Sequence, residues 1–347
     1  MSHGVELSER ELQILAAVVQ TYIATAEPAG SQTIARRFGL GVSPATIRSA
    51  MNELEQKGYL FHPHPSAGRV PTERAYRVYV DGLMRSSPTP SPRDREALES
   101  EMEGARSTLD EILRRAAQVL GVLTSELGVA VAPAFHDLVL ERLDLIPVSS
   151  DRLLLVFNLR GGVVRTIFVQ VSGTAIAPGS VQRVAQVLNE RLGGLRLGAI
   201  RESLVERLRD AGVPGGNREL LNIFIAEREE IFDLSGDGGA VVLGSAQVLA
   251  DQPEFASNAA MRGLLDLTER RDLLRGALDS RRQAGLSITI GGENLDSRLC
   301  DLTLVTSSYQ AGDLKGVIGV MGPTRMPYEK IIGLVEHTSR LVEGLLE

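Results

Sequence analysis

The chain has 347 residues, of which 43% are hydrophobic, and it carries a formal net charge of -7. This length allows two or three domains with separate cores, and the hydrophobic content excludes a wholly disordered chain. The single cysteine excludes an internal disulfide, and no apolar run reaches the roughly 20 residues that span a bilayer. Because a secretion signal is also absent, we expect a soluble, cytoplasmic protein without membrane contact.

Charge is distributed unevenly along the chain. Residues 1–85 contain nine Arg and Lys against eight Asp and Glu, a net charge of +1, so the remaining 262 residues carry -8. If the protein contacts nucleic acid, we therefore expect the contact in the N-terminal segment.

Two helices with clear start and stop signals are predicted first. One runs from about Ser8 to Ala26 and begins with a capping box, in which Ser8 and Glu11 each satisfy a backbone donor. The next is short, with Ser31 as its predicted cap and Gly39 at its end.

A third helix begins with Ser43 as N-cap and Pro44 in its first position, and it stops at Gly58. A very short glycine-containing turn joins it to the second helix, which is the helix-turn-helix geometry. Its apolar side is predicted to hold Ile47, Ala50, Met51 and Leu54, and its polar side Ala45, Arg48, Ser49, Asn52 and Gln56. Arg suits guanine and Asn suits adenine, so this second helix of the pair is interpreted as a recognition helix instead of an ordinary solvated face.

The stretch "GYLFHPHPSAGRVPT" predicts two short strands and a tight turn, which together form a wing. Gly68 is expected to let the chain reverse, and Arg69 to project from the tip toward phosphates or a minor groove. A metal site at His62 and His64 is the weaker alternative, because the turn is exposed and no cysteine stands at ligand spacing.

The Ser- and Pro-rich segment Arg85–Arg93 predicts a semi-rigid linker. A long helix is then expected from about Asp94 to Leu127. Its apolar residues recur at spacings of four and three: Leu98, Met102, Ala105, Leu109, Ile112, Ala116, Val119 and Leu123. This heptad pattern fits a dimer seam or a helix packed on its own domain's sheet, and the sequence favours neither.

Two distant segments resemble halves of one mixed α/β domain. The first contains a hairpin around Arg160–Gly162 and a helix over Ser180–Leu192, and the second contains two further β-rich runs and a helix over Tyr328–Leu346. Residues 193–276 between them are mostly helical without comparable strands, so we interpret them as an insertion.

None of the sequence motifs indicates a catalytic site. The glycine-rich stretches "RGG" and "SGDGGA" lack the Lys-Ser/Thr of a P-loop, and Cys300 is expected to be a buried structural thiol in the strand "LCDLTLV". We therefore predict no catalytic residue, no cofactor and no metal site, and hence a protein that is not an enzyme.

Several motifs occur together in chain order: "LSERELQIL", "EPAGSQTIARRFGLGVSPATIRSAMNELEQKGYL", "HPSAGRVPT", "AYRVYVD", "IGGEN" and "GVIGVMGPTRMPY". In combination they resemble the HrcA family, the heat-inducible transcription repressors of bacteria. The resemblance runs from residue 7 to the C-terminus and is weakest in the inserted region. Ser49 stands where the family pattern has asparagine and Pro65 where it has threonine, and each bears on the operator contacts.

The resemblance implies an α+β multidomain fold. It places a winged helix-turn-helix domain at 1–85, a linker at 86–94, a GAF-like domain at 95–192 and 277–347, and an inserted, mostly helical dimerisation domain at 193–276. It also implies a homodimer that binds an inverted-repeat DNA operator upstream of chaperone operons, with activity that depends on the GroEL-type chaperonin.

By position, the resemblance makes Ser43–Gln56 the recognition helix and Ser66–Thr72 the wing. The expected DNA-binding residues are Ser43, Thr46, Arg48, Ser49, Asn52, Gln56, Arg36, Arg37 and Arg69. Among them, Arg48 and Asn52 are the candidates for base contacts, while Thr46, Arg69 and either Arg36 or Arg37 are the candidates for phosphate or minor-groove contacts.

The alternative is a regulator that senses a small molecule through its GAF-like domain. The aromatic residues that would surround a ligand there, Phe157, Phe168 and Tyr309, are interpreted as core instead.

Overall fold

The computed structural model describes residues 7–64, 67–103, 108–171, 178–210, 215–232, 240–312 and 314–346. Its N-terminal elements are α1 (Glu9–Thr25), α2 (Ser31–Phe38), α3 (Pro44–Gln56), β1 (Leu60–Phe61), β2 (Val70–Pro71) and α4 (Glu73–Ser86). Three helices are thus followed by a two-stranded hairpin and a fourth helix, and the first three begin and end close to their predicted limits. Within the described ranges, no helix is long and apolar enough to cross a membrane.

Local chemistry sets the starts of the first three helices. Ser8 and Glu11 form the predicted capping box at the start of α1, and the Ser43 hydroxyl accepts a backbone N–H at the start of α3. The prediction for α2 is wrong by one residue. Gly30 is its N-cap and makes no side-chain cap bond, while Ser31 is the first helical residue and is buried.

The third helix is amphipathic in the predicted orientation. The four residues of its predicted apolar side are at most 7% exposed and pack in one core with α1 and α2. An ion pair between Lys57 Nζ and Glu11 Oε1, 2.5 Å apart, links the end of α3 to the start of α1. The hydrogen bond from Lys57 lowers the pKa of Glu11 to about 2, so this link is maintained well below neutral pH.

The wing departs from its predicted geometry at Gly68. Leu60 pairs with Pro71 and Phe61 with Val70, but Gly68 has no positive φ and does not reverse the chain. A Cβ at this position would lie 2.4 Å from the Ala29 carbonyl oxygen. Glycine is therefore needed because two backbones approach closely here. Pro65, which departs from the family pattern, lies outside the described residues.

The segment between α4 and α5 (Pro92–Met102) is packed, so it is not a free linker. A Cβ on Gly333, in the C-terminal helix α13 (Tyr328–Leu346), would come within about 3 Å of backbone atoms of Pro88, Thr89 and Pro90. In addition, the Tyr76 ring of α4 packs on the Tyr328 ring of α13 with centroids 5.9 Å apart. One continuous core joins the N-terminal helices to the C-terminal elements, which fixes the placement that a flexible linker would have left open.

The predicted long helix is two helices, α5 and α6 (Leu109–Thr124), and Ala105 between them lies outside the described residues. The heptad positions Leu98, Met102, Ile112 and Ala116 are buried in the chain's own core. The pattern thus marks helices packed within the chain, which was one of the two alternatives, and these side chains are not left as an exposed dimer seam.

The largest sheet has five antiparallel strands in the order β7-β3-β10-β9-β8. The strands are β3 (Leu127–Val131), β7 (Val241–Leu243), β8 (Leu286–Ile290), β9 (Leu302–Ala311) and β10 (Leu314–Pro323). Alternate residues face opposite cores: Ala130 and Ile318 pack with α6 and α13, whereas Val129 and Val317 pack with α11 (Asn258–Glu269) and α12 (Arg271–Asp279). The sheet is therefore covered by helices on both faces.

A second, three-stranded sheet packs around a separate core, to which Leu314 of β10 also contributes. It consists of β4 (Leu140–Pro147), β5 (Arg152–Leu159) and β6 (Val163–Gln170), which pack with α7 (Pro178–Leu192), α8 (Leu197–Arg209), α9 (Gly215–Ala226) and α10 (Arg228–Phe232). The hairpin turn at Arg160–Gly162 is where it was predicted, with positive φ at both glycines. This hairpin was predicted to share one mixed α/β domain with β8, β9 and β10, but it lies in a separate sheet, because β-rich composition does not specify which strands pair.

The separately packed unit therefore covers residues 138–232, whereas the predicted insertion was 193–276. The part of the predicted insertion that contains β7, α11 and α12 belongs to the five-stranded sheet and its covering helices.

Replacing Gly68 by alanine is expected to destabilise the protein by about 2 kcal/mol, because the added Cβ would collide with the Ala29 carbonyl. Gly82→Ala is the matched control, since a Cβ there meets nothing within 4 Å. This control lies in α4 and should stabilise by up to about 1 kcal/mol, because alanine favours helix. Urea unfolding measures both, and equal effects would contradict the close-approach explanation.

Glu126 gives a pH-dependent prediction. Its side chain is 2% exposed, and burial raises its pKa to about 8. The folded state thus retains a proton that the unfolded state releases near pH 4.5, so this group's contribution to stability is lost as the pH rises toward 8.

Glu126→Gln should remove that loss. Its stability relative to the wild type should therefore be greater at pH 8 than at pH 5 by about 3 kcal/mol. Urea titrations at the two pH values, with the exposed Glu96→Gln as control, measure the difference. A stability difference that does not change with pH would disprove the assignment.

Candidate nucleic-acid interface

The outer face of α3 presents the polar residues that the sequence singled out. Arg48, Ser49, Asn52 and Gln56 are all exposed. Residues 48, 52 and 56 are spaced by four, so they form one row along the helix. The row combines a guanidinium with two amides, and Ser49 beside it adds a hydroxyl; such groups can hydrogen-bond base edges in a major groove.

Two hydroxyls lie at the N-terminus of α3. Ser43 Oγ accepts from the Thr46 backbone N–H at 3.1 Å and lies 2.9 Å from Thr46 Oγ1. Ser43 is exposed and Thr46 is half-buried. Because a helix N-terminus favours negative charge, this corner is suited to contact a phosphate.

Two arginines in the last turn of α2 are exposed on the same unit. Arg36 Nε donates to the Gln32 carbonyl at 3.4 Å, and the Arg37 guanidinium lies 5.7 Å from the centre of the Phe38 ring. Neither residue forms a short ion pair with a carboxylate in the described parts of the chain. Both positive charges therefore remain available to a polyanion.

Arg69 does not project from the tip of the wing as predicted. It is 8% exposed, and its Nη2 lies 2.9 Å from Glu55 Oε2 on α3. The same nitrogen donates to Asn52 Oδ1. Its backbone pairs with Ala29 in both directions, which draws the residue inward beneath α3. The Arg69 guanidinium is therefore buried, and it holds the Asn52 side chain in place by hydrogen bonding.

Glu55 and His62 complete this network, although neither was predicted to belong to the site. His62 Nδ1 lies 2.8 Å from Glu55 Oε1, so the one carboxylate holds both the histidine and Arg69. The position of Glu55 in the sequence could have indicated this network. A carboxylate near the exposed face of a helix that meets a polyanion would be repulsive unless a cation of its own chain neutralised it.

A groove of about 510 Å³ lies between the start of α2, the outer face of α3 and the wing. Its walls are formed by Ala29, Gly30, Ser31, Arg48, Met51, Asn52, His62, Ala67, Gly68 and Arg69. The first turn of α2 has no side-chain cap, so its backbone donors can bind an anion that enters this groove. Arg48 adds a positive charge at the same place.

The described residues contain no cluster of three or more His, Cys, Asp or Glu that could hold a metal ion. Cys300 is exposed, so its assignment as a buried thiol is wrong. It caps the short turn Ser297–Leu299 and precedes β9, which begins at Leu302.

Comparison with known proteins identifies the family. The sequence profile of the HrcA protein C terminal domain matches residues 110–332. The chain is 36% identical over 347 residues to the heat-inducible transcription repressor HrcA of Chlorobium limicola, covering 96% of this chain and 95% of that protein. It is 34% identical to the repressor of the same name from Geobacter sulfurreducens, covering 99% of both.

A solved structure described as that of a hypothetical protein has the same fold, with a TM-score of 0.65 and 22% identity over 98% of this chain and 99% of the other. The curated relatives are named as transcription repressors, a regulatory and non-enzymatic role. The profile match and the full-length identity to these repressors together show that the chain belongs to the HrcA family of heat-inducible transcription repressors.

Proposed function

We propose that the protein represses transcription by binding an inverted-repeat DNA operator as a homodimer, with α3 of each protomer in a major groove. The observation that carries the proposal is the division of α3 into a buried apolar side and an exposed row of Arg48, Asn52 and Gln56. Two such helices related by a twofold axis match the symmetry of an inverted repeat.

In this proposal Arg48 and Asn52 contact bases, and Ser49 and Gln56 lie on the same face. Asn52 Oδ1 already accepts from Arg69. A carbonyl oxygen has a second lone pair and the amide nitrogen two donors, so Asn52 can still form the bidentate contact that suits adenine. Arg69 acts by holding that amide in one orientation.

The backbone contacts are assigned to the surrounding groups. Ser43 and Thr46 at the start of α3, and Arg36 and Arg37 on α2, would contact phosphates on either side of the groove. With a net charge of only +1 over residues 1–85, counterion release provides a modest non-specific affinity. Binding of two linked half-sites is therefore needed for a useful operator affinity.

An apolar patch supports the homodimer. The outer face of the three-stranded sheet exposes Ile146, Val164 and Phe168, the last two about 60% exposed. Phe168 was predicted to be core, but its ring faces outward with Arg152 5.4 Å from its centre. Contiguous apolar residues on a surface mark an interaction site, so we assign the dimer contact to the unit of residues 138–232.

Control by heat completes the proposal. The relatives are named heat-inducible, and the family resemblance implies that a GroEL-type chaperonin maintains the active form. Unfolded proteins that occupy the chaperonin would then leave the repressor inactive in the cytoplasm and allow chaperone genes to be transcribed.

A mobility-shift titration tests operator binding. The DNA is an inverted repeat from upstream of a chaperone operon in the source genome, compared with a scrambled duplex at two salt concentrations, with and without chaperonin. We expect preferential binding of the inverted repeat, which weakens as salt increases, and a larger active fraction with chaperonin. Equal binding of both duplexes under all conditions would refute the proposal.

The assigned roles of two arginines can be separated. Arg48→Ala should leave the melting temperature within about 1 °C of the wild type and relax base preference at one position per half-site, at a cost of about 1–3 kcal/mol. Arg69→Ala should lower the melting temperature and weaken binding to every sequence more uniformly, because Asn52 loses its donor and Glu55 keeps only His62 as a partner.

Arg10→Ala, an exposed change on α1, is the matched control. Thermal unfolding and a panel of single-base operator variants provide the two measurements. Identical profiles for Arg48→Ala and Arg69→Ala would contradict the separate roles.

A further inference from the structure

A cavity of about 500 Å³ lies beside the five-stranded sheet, between α12, the start of β8 and the turn that follows β8. Apolar side chains such as Leu273 and Leu299 line part of it, and Ser287, Thr289 and Asn294 line another part. Both the volume and the mixture of an apolar wall with a few polar groups are typical of small-molecule sites.

Arg281 lines this cavity and is only 7% exposed. Its Nε donates to the Ala277 carbonyl at 3.2 Å, Nη1 to Thr306 Oγ1 at 3.4 Å, and Nη2 to Thr289 Oγ1. These acceptors are neutral, and a guanidinium has five N–H groups, so two donors remain. Burial without an opposite charge lowers the pKa of Arg281 to about 10.

The carboxylates around the cavity are each matched by an arginine other than Arg281. Glu293 pairs with Arg77. Asp296 lies 2.7 Å from Arg298 Nη2, and the exposed Asp272 lies 3.7 Å from Arg275 Nη1. In the described part of the chain, the cavity therefore has a buried cation whose counter-charge is missing.

We infer that this cavity binds a small organic anion whose carboxylate or phosphate group is held by Arg281. The anion would supply the missing charge and accept the two remaining guanidinium donors, while the Ser287 hydroxyl and the apolar wall contact the rest of the molecule. The sensing alternative raised by the sequence thus acquires a specific site, which does not depend on operator binding.

The same site is connected to the DNA-binding unit through short contacts. Thr289, which accepts from Arg281, donates to Asn294 Oδ1 at 2.6 Å. The preceding residue, Glu293, accepts from Arg77 Nε of α4 at 2.7 Å, and Arg77 also donates to the Ile288 carbonyl of β8 at 2.8 Å. An anion that shifts Thr289 or this turn therefore acts on the helix that anchors the N-terminal unit.

Thermal unfolding of the full chain without DNA tests the binding step. The probes are sodium phosphate and sodium acetate, each compared with sodium chloride at equal ionic strength. We expect at least one of the two oxyanions to raise the melting temperature saturably, by about 2 °C at ten times its dissociation constant. The anion that does so identifies the phosphate or the carboxylate class. No increment above chloride with either probe would overturn the inference.

Arg281→Gln should abolish the increment, and Arg340→Gln, at an exposed site on α13, should retain it. If Arg281→Gln does not fold, Arg281→Lys keeps the charge but not the planar fork, and it should weaken the apparent affinity at least tenfold. An unchanged increment in the folded Arg281 variant would show that Arg281 only braces β8 and β9, and would overturn the inference.

Hydrogen exchange tests the connection to α4. Adding the active anion should change protection of the amides of residues 73–86 in the wild type but not in the Arg281 variant. Since no DNA is present in either experiment, failure here leaves the operator proposal standing, and failure of operator binding leaves this site standing.

Discussion

The structure depends most on the way α4 is held. This helix follows the wing directly, and it is fixed to the C-terminal half by the Arg77–Glu293 ion pair and the packing of Tyr76 on Tyr328. The neighbouring helix α1 is attached as well. Arg325 donates to the carbonyl of Ile23 in α1 at 3.0 Å and also pairs with Glu254. The direction in which α3 points is therefore set by contacts far from its own surface.

Motifs at opposite ends of the sequence supply the residues of these attachments. "AYRVYVD" supplies Arg77 and Tyr76, "IGGEN" supplies Glu293, and "GVIGVMGPTRMPY" supplies Arg325 and Tyr328. Neither "IGGEN" nor "GVIGVMGPTRMPY" contributes a residue to the exposed row of α3. They hold α1 and α4 against the C-terminal half, and this role is apparent only in the folded chain.

Sequence patterns predicted features that depend on neighbours within a few residues. The capping box at Ser8, the cap at Ser43 and the buried side of α3 are examples, since a helix start or face is set within one or two turns. Features that depend on distant partners were missed. The burial of Arg69 requires Glu55 and Ala29, and the separation of the two sheets requires knowledge of strand pairing. Exposure of α3 was predictable, but the network that orients Asn52 was not.

The continuous core that joins the N-terminal helices to α13 and the large sheet has a consequence for the response to temperature. Elements that share one core melt in a single cooperative transition, because neither part can lose its packing while the other keeps it. The exposed face of α3 then has no melting temperature separate from that of this core. Loss of packing around α13 or the large sheet on heating would therefore disrupt α3 in the same step, whereas the unit of residues 138–232 packs around a separate core.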